Sequence, residues 1–286
     1  MIDILKSILY GIIEGITEWL PVSSTGHMIL LDEFIKMDVS EEFFNMFLVV
    51  IQLGAILAVV ILFWNKIWPF ASKKKNPDPV KENGILALFV KSKWIMWIKI
   101  LVACIPAIIF GLLLDDIVDA IFYNPLCVAL ALIVFGIAFI VVETVGTKKD
   151  KAKTTSSIED ISFKQAIIIG LWQLVAAVFP GTSRSGATII GSLLIGITRA
   201  TAAEFTFLLA IPVMFGASLL KILKFGFAFS GMEIAILLVG MIVAFVVSVV
   251  VIRFFMGYIR KHDFKVFGWY RIVLGLLVIG YFYLIK

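Results

Sequence analysis

One stretch of this 286-residue chain concentrates groups able to hold an anion: Pro180-Gly181-Thr182-Ser183-Arg184-Ser185-Gly186-Ala187-Thr188. Long apolar runs flank it on both sides. A charge at bilayer depth costs on the order of 2.5–3.5 kcal/mol on insertion scales, so Arg184 is an expensive residue to keep there. Its guanidinium takes phosphate oxygens two at a time, which a lysine does not copy. Gly181 and Gly186 let the backbone come close to a ligand. Thr182, Ser183, Ser185 and Thr188 add hydroxyl donors, and the broken helix frees backbone N–H groups. Together they form a candidate oxyanion cradle.

A second stretch near the other end offers the complementary chemistry. Glu14 and Glu18 lie four residues apart and share one face of a helix. Paired carboxylates are hard oxygen ligands for Mg²⁺ or Ca²⁺, and one of the two can serve as a general base. The plainer reading is that they pair with lysines at the membrane interface. Just beyond them come Pro21-Val22-Ser23-Ser24-Thr25-Gly26-His27. Ser23, Ser24 and Thr25 can cap the short helix that follows and aim its N–H groups at a phosphate. His27 stands one turn further on, where a proton carrier would be useful. The only other histidine, His262, sits in the basic run Arg260-Lys261-His262-Asp263 and reads as solvated.

These residues must be positioned by membrane elements. Mean hydropathy is +1.08, and 62% of residues are hydrophobic against 16% charged. Soluble domains are about a quarter charged, so the chain is expected to be an all-α polytopic membrane protein. The pI of about 9.1 follows from the positive-inside rule and carries no sign of nucleic-acid binding. Cys104 and Cys127, the two cysteines, lie in apolar runs and make neither a disulfide framework nor a zinc site. No clean apolar core with a small-residue cleavage site marks a removable signal peptide.

Apolar segments fall near 3–20, 25–36, 44–64, 94–114, 121–142, 163–179, 185–197, 201–223, 232–256 and 267–285. Six are long enough to span. The pairs 3–20/25–36 and 163–179/185–197 are each broken by a proline and a hydroxyl cluster, and they read as re-entrant hairpins lining a polar cavity. Lysines crowd the loops at 65–93 and 143–162, and with Arg260, Lys261 and Lys265 they place those loops in the cytoplasm. The opposite side has Asp115, Asp116 and Asp119, read as a solvated turn. Gln52 is a candidate for lining the site. Arg253, Arg271 and Glu204 read as snorkelling side chains near segment ends.

An ungapped alignment lays Gly11, Glu14, Pro21 and Ser24 over Gly170, Gln173, Pro180 and Ser183. Each copy is followed by a short helix and three spans, so residues 1–142 and 163–286 read as two inverted halves of a single integral membrane domain. Inverted repeats with broken helices put a site at the midplane where the halves meet.

Glu14-x-x-x-Glu18, Trp19-Leu20-Pro21-Val22-Ser23-Ser24-Thr25-Gly26-His27 and Pro180 to Thr188 together resemble the undecaprenyl-diphosphatase (bacitracin-resistance) family. The resemblance covers nearly the whole chain in segment order. It implies a divalent-cation-dependent phosphatase of the bacterial plasma membrane. Such an enzyme removes one phosphate from undecaprenyl diphosphate, recycles the carrier lipid of wall synthesis and confers resistance to bacitracin. It also implies an inverted-repeat fold with re-entrant helices and a site reached from the extracytoplasmic side.

The expected chemistry follows. Arg184 and the donors around Ser183, with Thr25 opposite, hold the phosphates. Glu14 and Glu18 hold the cation or supply the base, and His27 moves a proton. A serine (Ser23 or Ser24), the histidine and a water all remain open as nucleophile. The expected partners are a polyprenyl diphosphate, the lipid bilayer and, as a candidate assembly, a second copy of the chain. A polyprenyl-phosphate flippase would share the inverted repeat and the midplane charges, and differs in releasing no phosphate.

Overall fold

The computed structural model describes residues 2–72, 75–81, 85–146 and 155–285, without the side chains at 112, 114–117, 119–120 and 285. Lys73, Lys74, Lys148, Lys149, Lys151 and Lys153 lie outside the described residues. The described chain is helical: α1 Ile2–Thr17, α2 Ser24–Phe34, α3 Glu41–Val50, α4 Gln52–Leu62, α5 Trp64–Ile67, α6 Lys91–Phe122, α7 Pro125–Gly146, α8 Phe163–Val178, α9 Arg184–Leu194, α10 Arg199–Phe225, α11 Gly231–Ile259 and α12 Lys265–Gly280.

Six stretches are long and apolar enough to cross a membrane: α3 with α4, the first 21 residues of α6, α7, α10, α11, and α12 with the turn after it. The protein is therefore a multi-pass helical membrane protein. The remaining long elements are α1 and α8, with 16 residues each, and α2 and α9, with 11 each. At 1.5 Å per residue the 16-residue helices rise about 24 Å, short of a hydrocarbon core of about 30 Å.

The helix starts are written in side chains. Ser162 accepts from the Gln165 N–H while the Gln165 side chain accepts from the Ser162 N–H, a reciprocal box that opens α8. Ser230 and Glu233 do the same for α11. Each box satisfies two of the N–H groups a helix start leaves free.

Packing pairs the short helices with partners from distant parts of the chain. α1 lies along α11, α8 lies along α6, and α7 lies along α12. Small residues let these backbones close up, the usual device where lipid gives no hydrophobic drive for helix pairing. A Cβ on Gly11 would stand 2.6 Å from the Gly240 carbonyl oxygen, and one on Gly170 would strike that of Ala103. Gly136 and Gly268 meet between α7 and α12, where a Cβ on either would stand 2.7 Å from the other's carbonyl oxygen. α10 touches α3, α4, α6 and α9, and its Phe205, Phe207, Leu208 and Leu209 are fully buried in the main core.

Two expectations change. The acidic turn at Asp115, Asp116 and Asp119 is part of α6, which continues to Phe122, because the run holds no helix breaker before Asn124; these three side chains lie outside the described ones. The 65–93 loop carries order of its own, with antiparallel bridges joining Phe70 to Phe89 and Pro79 to Val90. Its Asn76 amide donates to the Ala87 and Phe89 carbonyls at 2.9 and 3.0 Å.

Candidate active site

The turns that end α1 and α8 meet. Each leads through a proline to a serine in a backbone conformation that L residues rarely take: Ser23 has φ 72° and Ser183 has φ 70°, the only non-glycine positive values among the described residues. Each serine side chain caps the helix behind it, accepting from Gly26 N–H at 3.4 Å and from Gly186 N–H at 3.2 Å. The cap offsets part of the backbone strain, which for such residues runs at about 1–3 kcal/mol. The structural counterpart of Ser183 is thus Ser23, whereas the ungapped alignment pairs it with Ser24. Two residues separate proline from serine in the second turn against one in the first, and the extra residue is accommodated at Gly181, whose φ of 94° and 2.5 Å Cβ approach to the Val128 carbonyl oxygen require glycine.

Arg184 and Glu18 join the two turns. The guanidinium Nη2 donates to Glu18 Oε1 at 2.8 Å, and Nη1 donates to the Thr206 carbonyl at 3.2 Å. Both side chains are largely buried, at 13% and 7% exposure, where breaking such a pair costs far more than at a surface. Ser24 Oγ donates to the second oxygen of the same carboxylate, Oε2, at 2.9 Å. The Ser185 hydroxyl adds a link across the turns at 3.2 Å to the Glu18 carbonyl.

A cavity of about 190 Å³ opens beside this pair. Glu18, Ser24, Thr25, Gly181, Ser183 and Arg184 line it, together with Gln52 at the break between α3 and α4 and apolar residues of α10. The other expected site residues stand back from it. Thr188 is fully buried, and its hydroxyl is used on the Arg184 carbonyl at 2.9 Å and Thr206 Oγ1 at 2.9 Å. Ser185 and Thr182 are buried as well, and Ser23 is committed to its cap.

His27 is held at both nitrogens. Nδ1 lies 2.7 Å from the Ser23 carbonyl, so it carries the proton. Nε2 then accepts from the Tyr270 hydroxyl at 2.7 Å, and the two rings stack 5.6 Å apart. Glu14 is 1% exposed, one turn below Glu18, and its Oε1 has no hydrogen-bond partner among the described residues. Among those residues no group of three His, Cys, Asp or Glu side chains is gathered into a metal site. Glu18 lines the cavity while Glu14 stands one turn behind it; one or two carboxylates of this kind are the donor set with which proteins usually hold Mg²⁺.

One residue that organises the site was read from sequence as a snorkelling end charge. Arg271 is fully buried, and among the described residues no carboxylate pairs with it. Its Nη1 donates to the Pro21 carbonyl at 3.2 Å, and its Nη2 to the Gly181 and Thr182 carbonyls at 2.9 and 2.7 Å. It therefore ties both turns to α12 and supports the two strained serines from behind. A signal for it was present. Arg271 shares a helical face with Gly268 and Gly275, and glycines at that spacing mark the face packed on a neighbour rather than on lipid.

Comparison with known proteins places the chain in a family. Residues 7–277 match the family described as bacitracin resistance protein BacA. The chain is 58% identical over 283 residues to the undecaprenyl-diphosphatase of Desulfitobacterium hafniense, covering 99% of this chain and 97% of that one. It is 56% identical over 278 residues to the undecaprenyl-diphosphatase of Enterococcus faecalis, covering 97% and 96% of the two chains. Undecaprenyl-diphosphatase 1 of Clostridium acetobutylicum is 56% identical over 285 residues, with 99% of each chain covered. With a buried arginine–carboxylate pair at the meeting of two broken helices and a match along nearly its whole length, this chain belongs to the bacitracin resistance protein BacA family.

Proposed function

We infer that this protein is a membrane phosphatase that hydrolyses undecaprenyl diphosphate to undecaprenyl phosphate and inorganic phosphate, and thereby supports resistance to bacitracin. The observation that carries the reading is the Arg184–Glu18–Ser24 chain of hydrogen bonds on the wall of a membrane cavity.

The residues divide the work. Arg184 and the backbone around Gly181 and Ser183 bind the phosphate oxygens, and Thr25 faces them across the cavity. A phosphate entering the cavity competes with Glu18 for the Arg184 guanidinium. Once released, Glu18 is free to accept the proton of the Ser24 hydroxyl that already donates to it. Ser24 Oγ is the nucleophile we assign, since it lines the cavity and touches a base. Its attack on the terminal phosphorus breaks the anhydride bond, and undecaprenyl phosphate leaves. Water then releases the phosphate from Ser24. Glu14 and Glu18 are the residues that would hold Mg²⁺ or Ca²⁺, which supplies charge neutralisation for the phosphoryl group. His27, donating to the Ser23 carbonyl, keeps the first turn in register and carries protons toward Tyr270.

The setting proposed is the bacterial plasma membrane, with the 65–93 and 143–162 loops cytoplasmic and the cavity open to the other side. In support, the cavity touches Val213, Met214 and Ala217 in the second half of α10, away from the lysine-rich loops. We read the two halves as an inverted repeat with α1–α2 and α8–α9 as re-entrant hairpins. The exchange of α1 onto α11 for α8 onto α6, the mutual α7–α12 pair and the two capped serines support that reading.

The test is phosphate release from a polyprenyl diphosphate by detergent-purified protein, with Mg²⁺, with Ca²⁺ and with EDTA, combined with a search for phosphate bound to Ser24 after acid quench. Cation-dependent release that is lost in Ser24→Ala and Glu18→Ala is expected. Full release by Ser24→Ala would return the attack to water, and no release under any cation would move the protein to lipid transport.

A further inference from the structure

A second cavity, of about 330 Å³, shares no lining residue with the one just described. Its floor is apolar, made by Leu62, Phe63, Ile252 and Met256, and its rim carries Lys66, Glu204, Arg253 and Arg260. Lys66 pairs with Glu204. Arg253 and Arg260 have no ion-pair partner among the described residues. The rim therefore holds two unneutralised guanidinium groups above a greasy floor. Arg253 lies near the end of α11 and Arg260, in helical backbone conformation, caps it; seven residues apart, they share one face two turns apart.

The depth of this cavity decides what it can take. It sits where the spans α4 and α11 end and α10 begins, on the face that carries the lysine-rich loops. Gln52 and Leu62 are the first and last residues of α4, ten residues apart, so these two lining positions are separated by about 15 Å along the helix. Trp64 and Trp68, stacked at 4.5 Å and exposed, mark the same level as an aromatic belt. That is the level of lipid phosphates in the adjoining leaflet. Paired arginines suit a phosphate, and an apolar floor beneath them suits the glycerol and first methylenes of an acyl chain.

We propose that this cavity is a binding site for the phosphate head group of an anionic membrane lipid, distinct from the cavity lined by Arg184. The proposal does not depend on phosphatase chemistry, because Arg253 and Arg260 touch none of the residues of that cavity.

The experiment is native mass spectrometry of the detergent-purified protein with dioleoylphosphatidic acid, using dioleoylglycerol as the phosphate-free control and inorganic phosphate as competitor. Wild-type protein should retain the phosphatidic acid at least about tenfold better than R253Q/R260Q, while R253K/R260K keeps part of the binding. Met256→Trp, which fills the floor and leaves every charge in place, should also lose the lipid. Phosphate release from polyprenyl diphosphate by these variants should stay within twofold of wild type, showing that they are folded. Equal retention by wild type and R253Q/R260Q overturns the site. Equal binding of dioleoylglycerol reduces it to a greasy groove and also overturns it. Displacement of the lipid by millimolar inorganic phosphate overturns the lipid assignment in favour of a free-anion site.

Discussion

The α1–α2 and α8–α9 hairpins have nearly the same backbone and opposite chemistry. Both end a 16-residue helix at a proline-containing turn, and both restart at a serine with φ near 70° that caps an 11-residue helix. Where the first has Glu14 and Glu18, the second has Gln173 and Ala177; where the first has Ser24, the second has Arg184. In the function proposed above, the first hairpin serves cations and protons and the second serves anions. Two similar turns thus supply the same backbone geometry twice, and on the proposed function a few differing side chains divide the phosphoryl-transfer site between them.

The strongest way to break that division is at Arg184. Arg184→Ala should lower phosphate release by about 10²–10³-fold, the usual effect of removing one preorganised donor to a developing charge. Arg184→Lys should lose most of it too, and a lysine variant with wild-type turnover would show that the second hairpin supplies charge but no forked geometry.

Next comes the clamp shared by both hairpins. Arg271→Met leaves the Pro21, Gly181 and Thr182 carbonyls buried without a donor, at about 1–3 kcal/mol each. A thermal melt in detergent should fall steeply, by more than for any cap variant. An unchanged melt would mean that the turns hold their shape unaided.

The serines sharpen the comparison further. Ser23→Ala and Ser183→Ala should each cost about 1 kcal/mol by loss of the cap. Ser→Gly at either position should recover much of that, because glycine relieves the positive φ. Equivalent hairpins require equal effects at the two sites, read from denaturant or thermal unfolding. The smallest change is expected at Tyr270→Phe, which removes one hydrogen bond to His27. It should slow turnover by less than about tenfold, with the substrate KM unchanged.

Much of this arrangement was legible in the residues. The six spans and the four short apolar helices follow from segment length, and the place of Arg184 at the cavity follows from an arginine among hydroxyls inside an apolar run. Gln52 was legible for the same reason, as an amide in the middle of a membrane helix. Which hydroxyls face the cavity was not. Ser185 and Thr188 differ from Ser24 and Thr25 only in helical phase relative to a neighbour the sequence does not name, and α10 takes Thr188 through Thr206. The one-residue offset between the turns was hidden because an ungapped alignment matches the prolines and cannot see that Gly181 bulges. Arg271 was misread because distance from a segment end was weighed and the glycines on its own face were not.

The position of Arg271 also bears on how the protein is made. It lies 250 residues after the Pro21 carbonyl that it holds, on a helix made long after both turns. Until α12 packs beside α7, neither turn has this fastener, and the two strained serines are held by their caps alone. Chains stopped before α12 are therefore expected to release no phosphate from a polyprenyl diphosphate.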